Sequence, residues 1–200
     1  VYPSGATKYV EEYDGTSWTN LSDANSERYH GGSFGQTSTA CAYTGGYSAP
    51  PPPLQSGKTE LWNGSTWTES GDLQSGRQAF YGGAGTTSAG LVAGSTHLPS
   101  SHGATEVFNG SSWTEVNDLV TGRQYAPVTG ATLTAAMCVG GYGVPADSPY
   151  SSGPQARLGI TEIWDGTCWT HVSGTLNLGR TEAGISGTTS AAVIAGGVTG

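Results

Sequence analysis

The sequence predicts an all-β fold of four similar units, each with four short antiparallel strands. Composition, a long-period repeat and a recurrent hairpin signal carry that expectation. Of 200 residues, 33 are Gly and 10 Pro, only 11% are charged, and Trp and Tyr together number 16. Good helix formers are scarce (one Met, and lysines only at Lys8 and Lys58), which excludes a helical bundle or coiled coil. The aromatic content separates the chain from disordered segments, which lack the side chains to build a core. No run approaches the roughly twenty apolar residues of a membrane-spanning helix.

The repeat is visible by self-comparison. Glu11-Glu12-Tyr13-Asp14-Gly15-Thr16-Ser17-Trp18-Thr19 aligns with Glu60-Leu61-Trp62-Asn63-Gly64-Ser65-Thr66-Trp67-Thr68. Glu106-Val107-Phe108-Asn109-Gly110-Ser111-Ser112-Trp113-Thr114 and Glu162-Ile163-Trp164-Asp165-Gly166-Thr167-Cys168-Trp169-Thr170 complete the set. Trp18, Trp67, Trp113 and Trp169 stand 49, 46 and 56 residues apart. Ten or eleven residues after each comes an arginine: Arg28, Arg77, Arg123 and Arg180. Sixteen or seventeen further on comes a glycine: Gly45, Gly94, Gly140 and Gly196.

Within a unit, the first strand is expected from the arginine onward, as in Arg123-Gln124-Tyr125-Ala126-Pro127-Val128. A Gly-containing turn leads to a short apolar second strand at 40–44, 89–93, 135–139 and 191–195. Such runs suit strands covered on both faces. Asp-Gly or Asn-Gly joins the third and fourth strands, a strong hairpin signal because both residues tolerate positive φ. Strand parity sets Glu60, Trp62 and Trp67 on one face, with Leu61 and Thr66 on the other.

A sheet that is aromatic on one face and aliphatic on the other cannot hide both alone. Radial stacking of similar sheets about an axis, a β-propeller, solves this. The units fall at about 28–69, 77–115, 123–171 and 180–200 plus 1–21, in one domain spanning 1–200. The fourth is composite: an N-terminal hairpin (residues 8–21) would join a C-terminal strand pair (180–197), giving four blades. The same half-blades could instead pair between neighbouring chains, building a larger ring or a filament.

Gly45-Gly46, Gly140-Gly141 and Gly196-Gly197, followed by an aromatic before the turn, then Trp and Arg, resemble the kelch repeat; unit two departs with Gly94-Ser95. The resemblance covers nearly the whole chain and implies a kelch-type propeller, a fold that hosts adaptors, lectin-like binders and a copper oxidase. The Thr-Glu-x-aromatic-Asn-Gly-Ser-x-Trp-Thr texture is similar to kelch-like arrays of phage structural proteins and bacterial surface proteins.

Net charge is −8, with seven basic residues. Binding to nucleic acid is not expected, since no basic stripe is present to displace counterions from phosphates. Membrane insertion is not expected either. The chain opens at Val1 with no basic-plus-apolar leader, so either a leader was removed or the sequence belongs to something longer. Cys41, Cys138 and Cys168 lack metal-ligand spacing and are expected as buried thiols in strands, without an intrachain disulfide.

The recurring charges Glu11, Glu60, Glu106 and Glu162 are expected to pair with Arg28, Arg77, Arg123 and Arg180, because a buried carboxylate needs a partner. Asn20, Asn63 and Asn109 match the N-glycosylation acceptor pattern, although turn chemistry accounts for Asn63 and Asn109. The loops after the second strands differ most: 47–58 with its tetraproline, 95–104 with His97 and His102, and 142–160 with Tyr150. All are expected on one face, where variable loops on a rigid scaffold recognise ligands. The candidate ligand-binding residues there are Tyr47, His97, His102, Tyr142, Tyr150 and Arg157.

No metal site is expected, since His97 and His102 lack a third ligand. No cofactor is expected, and no Ser/His/Asp, Walker or zinc motif is present, so no catalytic residues are assigned. The copper-oxidase ligand set, with its cross-linked Cys–Tyr pair, finds no residue-by-residue match, and an intracellular kelch adaptor would need a helical oligomerisation domain. The expected function is therefore a non-enzymatic structural or recognition module, extracellular or on a virion surface, as part of an appendage or surface fibre. Its expected partner is a glycan or protein at the loop face. The alternative is a self-assembling fibre subunit that completes blades between chains.

Overall fold

A computed structural model describes residues 7–48, 55–78, 80–95, 103–143 and 156–200. Among them the fold is all-β, in several sheets and without a helix. The N-terminal hairpin is β1 (Glu11–Tyr13) and β2 (Trp18–Asn20). Unit one holds β3 (Arg28–Tyr29), β4 (Gly32–Thr37), β5 (Ala40–Thr44), β6 (Tyr47–Ser48), β7 (Thr59–Trp62) and β8 (Trp67–Glu69). Unit two holds β9 (Tyr81–Gly82), β10 (Ala84–Thr86), β11 (Ala89–Ala93), β12 (Thr105–Phe108) and β13 (Trp113–Val116). Unit three holds β14 (Arg123–Gln124), β15 (Pro127–Thr132), β16 (Ala135–Val139), β17 (Tyr142–Gly143), β18 (Ala156–Arg157), β19 (Thr161–Trp164) and β20 (Trp169–Val172). The C-terminal strands are β21 (Arg180–Thr181), β22 (Gly184–Thr188), β23 (Ala191–Ala195) and β24 (Val198–Thr199).

Units one and two form four-stranded antiparallel sheets, β4-β5-β7-β8 and β10-β11-β12-β13. In unit three the matching sheet β15-β16-β19-β20 gains β9 as a parallel edge strand. The inner strands touch in chain order, β4 against β10, β10 against β15 and β15 against β22. Phe34 and Ala42 of the first sheet pack with Val92, Phe108 and Trp113 of the second. Leu91 and Ala93, from the opposite face of the second sheet, pack with Val128, Ala136 and Trp169 of the third. Adjacent Leu91 and Val92 are thus each fully buried, on opposite faces of one strand. Each such side chain contributes about 1.5–3 kcal/mol on burial.

The expected first strand is divided in two. His30, Tyr125 and Glu182, each two residues after its arginine, adopt left-handed backbone (φ 59°, 56° and 58°) and break the strand. The short piece before the break pairs beyond the Gly-Gly: β3 with β6, β14 with β17 and β21 with β24. That route explains the Gly-Gly signature. Gly45 and Gly46 have φ of 65° and 93°, and a Cβ on Gly46 would lie 2.8 Å from the Tyr29 carbonyl oxygen.

The hairpin turn also differs from a two-residue loop. Four residues separate paired Tyr13 and Trp18, and only the glycine has positive φ. Asp14 Oδ1 accepts from the Thr16 and Ser17 amides; Asn63, Asn109 and Asp165 do the same in their units. This is Asx-turn chemistry, which Asp and Asn perform equally. Thr66 consequently lies in the turn, and Thr68 is the strand residue opposite Leu61.

The composite fourth sheet is not formed. β1-β2 and β22-β23 are separate two-stranded sheets, held at opposite ends of the series. The hairpin region is tied to unit one through the Thr7–Arg28 bridge and the Asn25 amide to Glu60 Oε2, whereas β22 packs on β15. Tyr13 and Trp18 are in consequence exposed, while Trp113 and Trp169 are buried.

Three of the four arginine–glutamate pairs are made. Arg28 lies 2.7 Å from Glu60, Arg77 2.9 Å from Glu106 and Arg123 2.5 Å from Glu162, all inside the sheets. Each carboxylate also accepts backbone N–H groups from the segment before its arginine: Asn25, Gln74, and Val120 with Thr121. Burial raises the Glu106 carboxyl pKa against the opposing pull of Arg77, and lowers that of Arg77. Taking both charges out of water offsets much of their attraction, so a buried pair of this kind acts as a registration peg more than a source of stability. Glu162→Gln should cost about 3–5 kcal/mol in chemical denaturation, because it strands a buried guanidinium. The double replacement Arg123→Met with Glu162→Leu should cost less than the two single changes summed.

All three cysteines are free. Cys41 lies half-buried in β5 and Cys138 fully buried in β16, but Cys168 sits in the exposed turn before β20, one residue outside the expected strand. Burial pushes the Cys138 thiol pKa up, so it holds little reactive thiolate at neutral pH. A thiol reagent should modify Cys168 first and Cys138 only on unfolding, as peptide mapping would read out.

Candidate functional site

The strand breaks create the site. The residue two positions after Arg28, Arg123 and Arg180 leaves the sheet in left-handed conformation, at the entrance to an inner strand. The entrances are joined to one another, with the Glu182 amide donating to the Tyr125 carbonyl and Tyr81 paired with Pro127. Side chains from different units consequently meet there.

Five aromatic rings form a continuous row. Tyr47 stacks on Tyr29 at 5.5 Å, and Tyr29 meets His30 edge-on at 5.0 Å. His30 lies 6.0 Å from Tyr81 and 6.5 Å from Tyr125, which are 6.2 Å from each other. His30 and Glu182 are exposed, and the four tyrosines are half-buried with part of their surface free. The Tyr81 phenol pKa is pushed up to about 12 by burial, by the Glu182 carboxylate and by Tyr125. At neutral pH it is therefore a neutral hydroxyl that can donate and accept hydrogen bonds.

Of the residues expected at the loop face, Tyr47 belongs to this row through its β3–β6 pairing. Tyr142 occupies the corresponding place in unit three, opposite Gln124 on one side and exposed Arg157 on the other. His97, His102, Tyr150 and the tetraproline lie outside the described residues. Among the described residues, no cluster of three or more His, Cys, Asp or Glu side chains could hold a metal ion.

Tyr29, His30, Tyr81, Tyr125 and Glu182 were not anticipated as site residues. The signal for three of them lies in the repeat: His30, Tyr125 and Glu182 share the position two after the arginine, where a conserved backbone role is combined with changing chemistry. Tyr81 follows its arginine by four residues and has no such marker.

No protein-family profile matches the chain, and no curated protein is significantly similar to it in sequence. The site must therefore be judged on its own chemistry.

Left-handed backbone costs a non-glycine residue about 1–2 kcal/mol, and the turn itself would be met more cheaply by glycine. His30→Gly should leave the melting temperature unchanged or raised in calorimetry, the relief of strain offsetting the added freedom of the unfolded chain. His30→Ala, which keeps the strain and loses the ring contacts, should melt lower than wild type.

Proposed function

We propose that the chain is a kelch-type propeller module that recognises ligands rather than transforming them, working outside the cell as part of a virion appendage or surface fibre. Its ligand is a glycan, gripped at the face where the loops and the inner-strand entrances meet. The aromatic row from Tyr47 to Tyr125 carries this reading. Partly exposed tyrosine faces offer the apolar faces of sugar rings a stacking surface, while phenol hydroxyls, His30 and Glu182 supply polar contacts to sugar hydroxyls. Three large side chains are kept at backbone positions where glycine would relieve strain, which favours a role for the side chains themselves.

The acidic, lysine-poor surface rich in Ser, Thr and Gly supports an extracellular setting. Protein ligands could use the same row, but the continuous ring surface suits an oligosaccharide better. A glycan array with the wild-type protein should give a restricted set of bound sugars. Tyr29→Ala and His30→Gly should each weaken that binding about tenfold, the loss of roughly 1.4 kcal/mol of stacking. Absence of any bound glycan, or unchanged affinity in both variants, would overturn the assignment.

A further inference from the structure

The end of the series carries a cleft shaped for one kind of partner. On the second sheet, Leu91, Val107 and Val116 are covered by the third sheet and its Trp169. Their counterparts on the third sheet are Met137, Ile163 and Val172 by strand register, and these line an open cleft closed on one side by Ile185 and Ile194. The polar groups around the cleft repeat the pattern. The Trp113 indole donates to Thr59 Oγ1 of the preceding unit at 2.8 Å, and the Trp169 indole to Thr105 Oγ1 at 2.9 Å. Thr161, the next threonine in the series, lines the cleft and receives no such indole. The guanidinium of Arg180, the fourth arginine of the repeat, donates to the Leu178 and Gly196 carbonyls and makes no ion pair among the described residues.

The missing occupant therefore has defined chemistry. It is a hairpin bringing a carboxylate to Arg180 and an indole to Thr161, along the free edge of β23. The β1-β2 hairpin carries both groups: Glu11 makes no ion pair among the described residues, and Trp18 touches Tyr13 but stays 66% exposed, against 2–3% for Trp113 and Trp169. The register follows from the other units, where Tyr43, Val92 and Cys138 face Glu60, Glu106 and Glu162. By the same offset Ile194 faces Glu11, and Val193 (73% exposed) faces Glu12. Within one chain this hairpin is tied to unit one, at the other end of the row.

We propose that the cleft and the β23 edge receive the β1-β2 hairpin of a second copy of this chain, joining copies head to tail. The contact is heterologous, so it propagates into a closed ring or a filament according to the rotation between copies. It combines strand addition at a free edge with burial of Trp18 and pairing of Glu11 with Arg180. The proposal stands independently of glycan binding.

Two single variants, Glu12→Cys and Val193→Cys, each in a Cys168→Ser background, test it by mixing under mild oxidation. A disulfide-linked heterodimer is expected, and light scattering of the wild-type protein at micromolar concentration should give a mass above the 20.3 kDa of one chain. Trp18→Ala, which removes a side chain exposed in the single copy, should weaken association at least tenfold while leaving the melting curve of the dilute protein in place. A strictly 20.3 kDa species with no heterodimer overturns the proposal. So does an internal disulfide in monomers of a chain that carries both Glu12→Cys and Val193→Cys, which would show the chain's own hairpin in the cleft.

Discussion

A β-sheet that is apolar on both faces cannot persist in water by itself, and this constraint organises the molecule. Leu91 and Val92 are neighbours in one strand and both fully buried, one against each flanking sheet. The second sheet is at once core for the one before and the one after it. The arrangement has no natural end, because a terminal sheet must either leave a face in water or find another sheet to cover it. The exposed Tyr13, Trp18 and Val193 are that constraint made visible at the two ends.

The buried arginine–glutamate pairs work within the same constraint. They sit where the segment entering a unit meets its third strand, and the carboxylate gathers the guanidinium and the preceding backbone amides together. Removing either partner would leave an uncompensated charge in a dry place, so the pair penalises any other register. The neighbouring Arg28 guanidinium also lies 4.5 Å from the Tyr43 ring centroid, which shields its apolar faces. The cost of burying the charges is thereby spread over several contacts.

The same entry segment generates the candidate site. Once the arginine is pinned, the chain must turn sharply into the inner strand, and the left-handed residue two positions on makes that turn. Unit one, unit three and the C-terminal strands share the backbone solution but differ in the side chain mounted on it: imidazole, phenol or carboxylate. Backbone and side chain are therefore separable at this one position, with the turn dictating φ and leaving the mounted group free to vary. Tyr47 and Tyr29 extend the surface outward because the short strands β3 and β6 pair directly beside the break.

The periodicity of Trp, Arg, Gly-Gly and the Asx-turn residues was enough to define the unit, its strand order and its buried ion pairs, because each of those features is local or falls at a constant offset. The four-residue turn was missed because Asp-Gly and Asn-Gly also serve shorter turns, and the loop length depends on side-chain acceptance by Asp14 and its equivalents. The site was only half legible: Tyr47 could be placed on the loop face, but the meeting of His30, Tyr81 and Tyr125 depends on entrances of separate units being brought together by stacking. Most decisively, residues alone determined that two half-sheets are compatible in register and charge. Only the tertiary structure decided that they stand apart, because residues flanking the hairpin are bonded to unit one while β22 packs on β15, and an edge pairs with what lies within hydrogen-bonding reach, not with whatever matches it best in sequence.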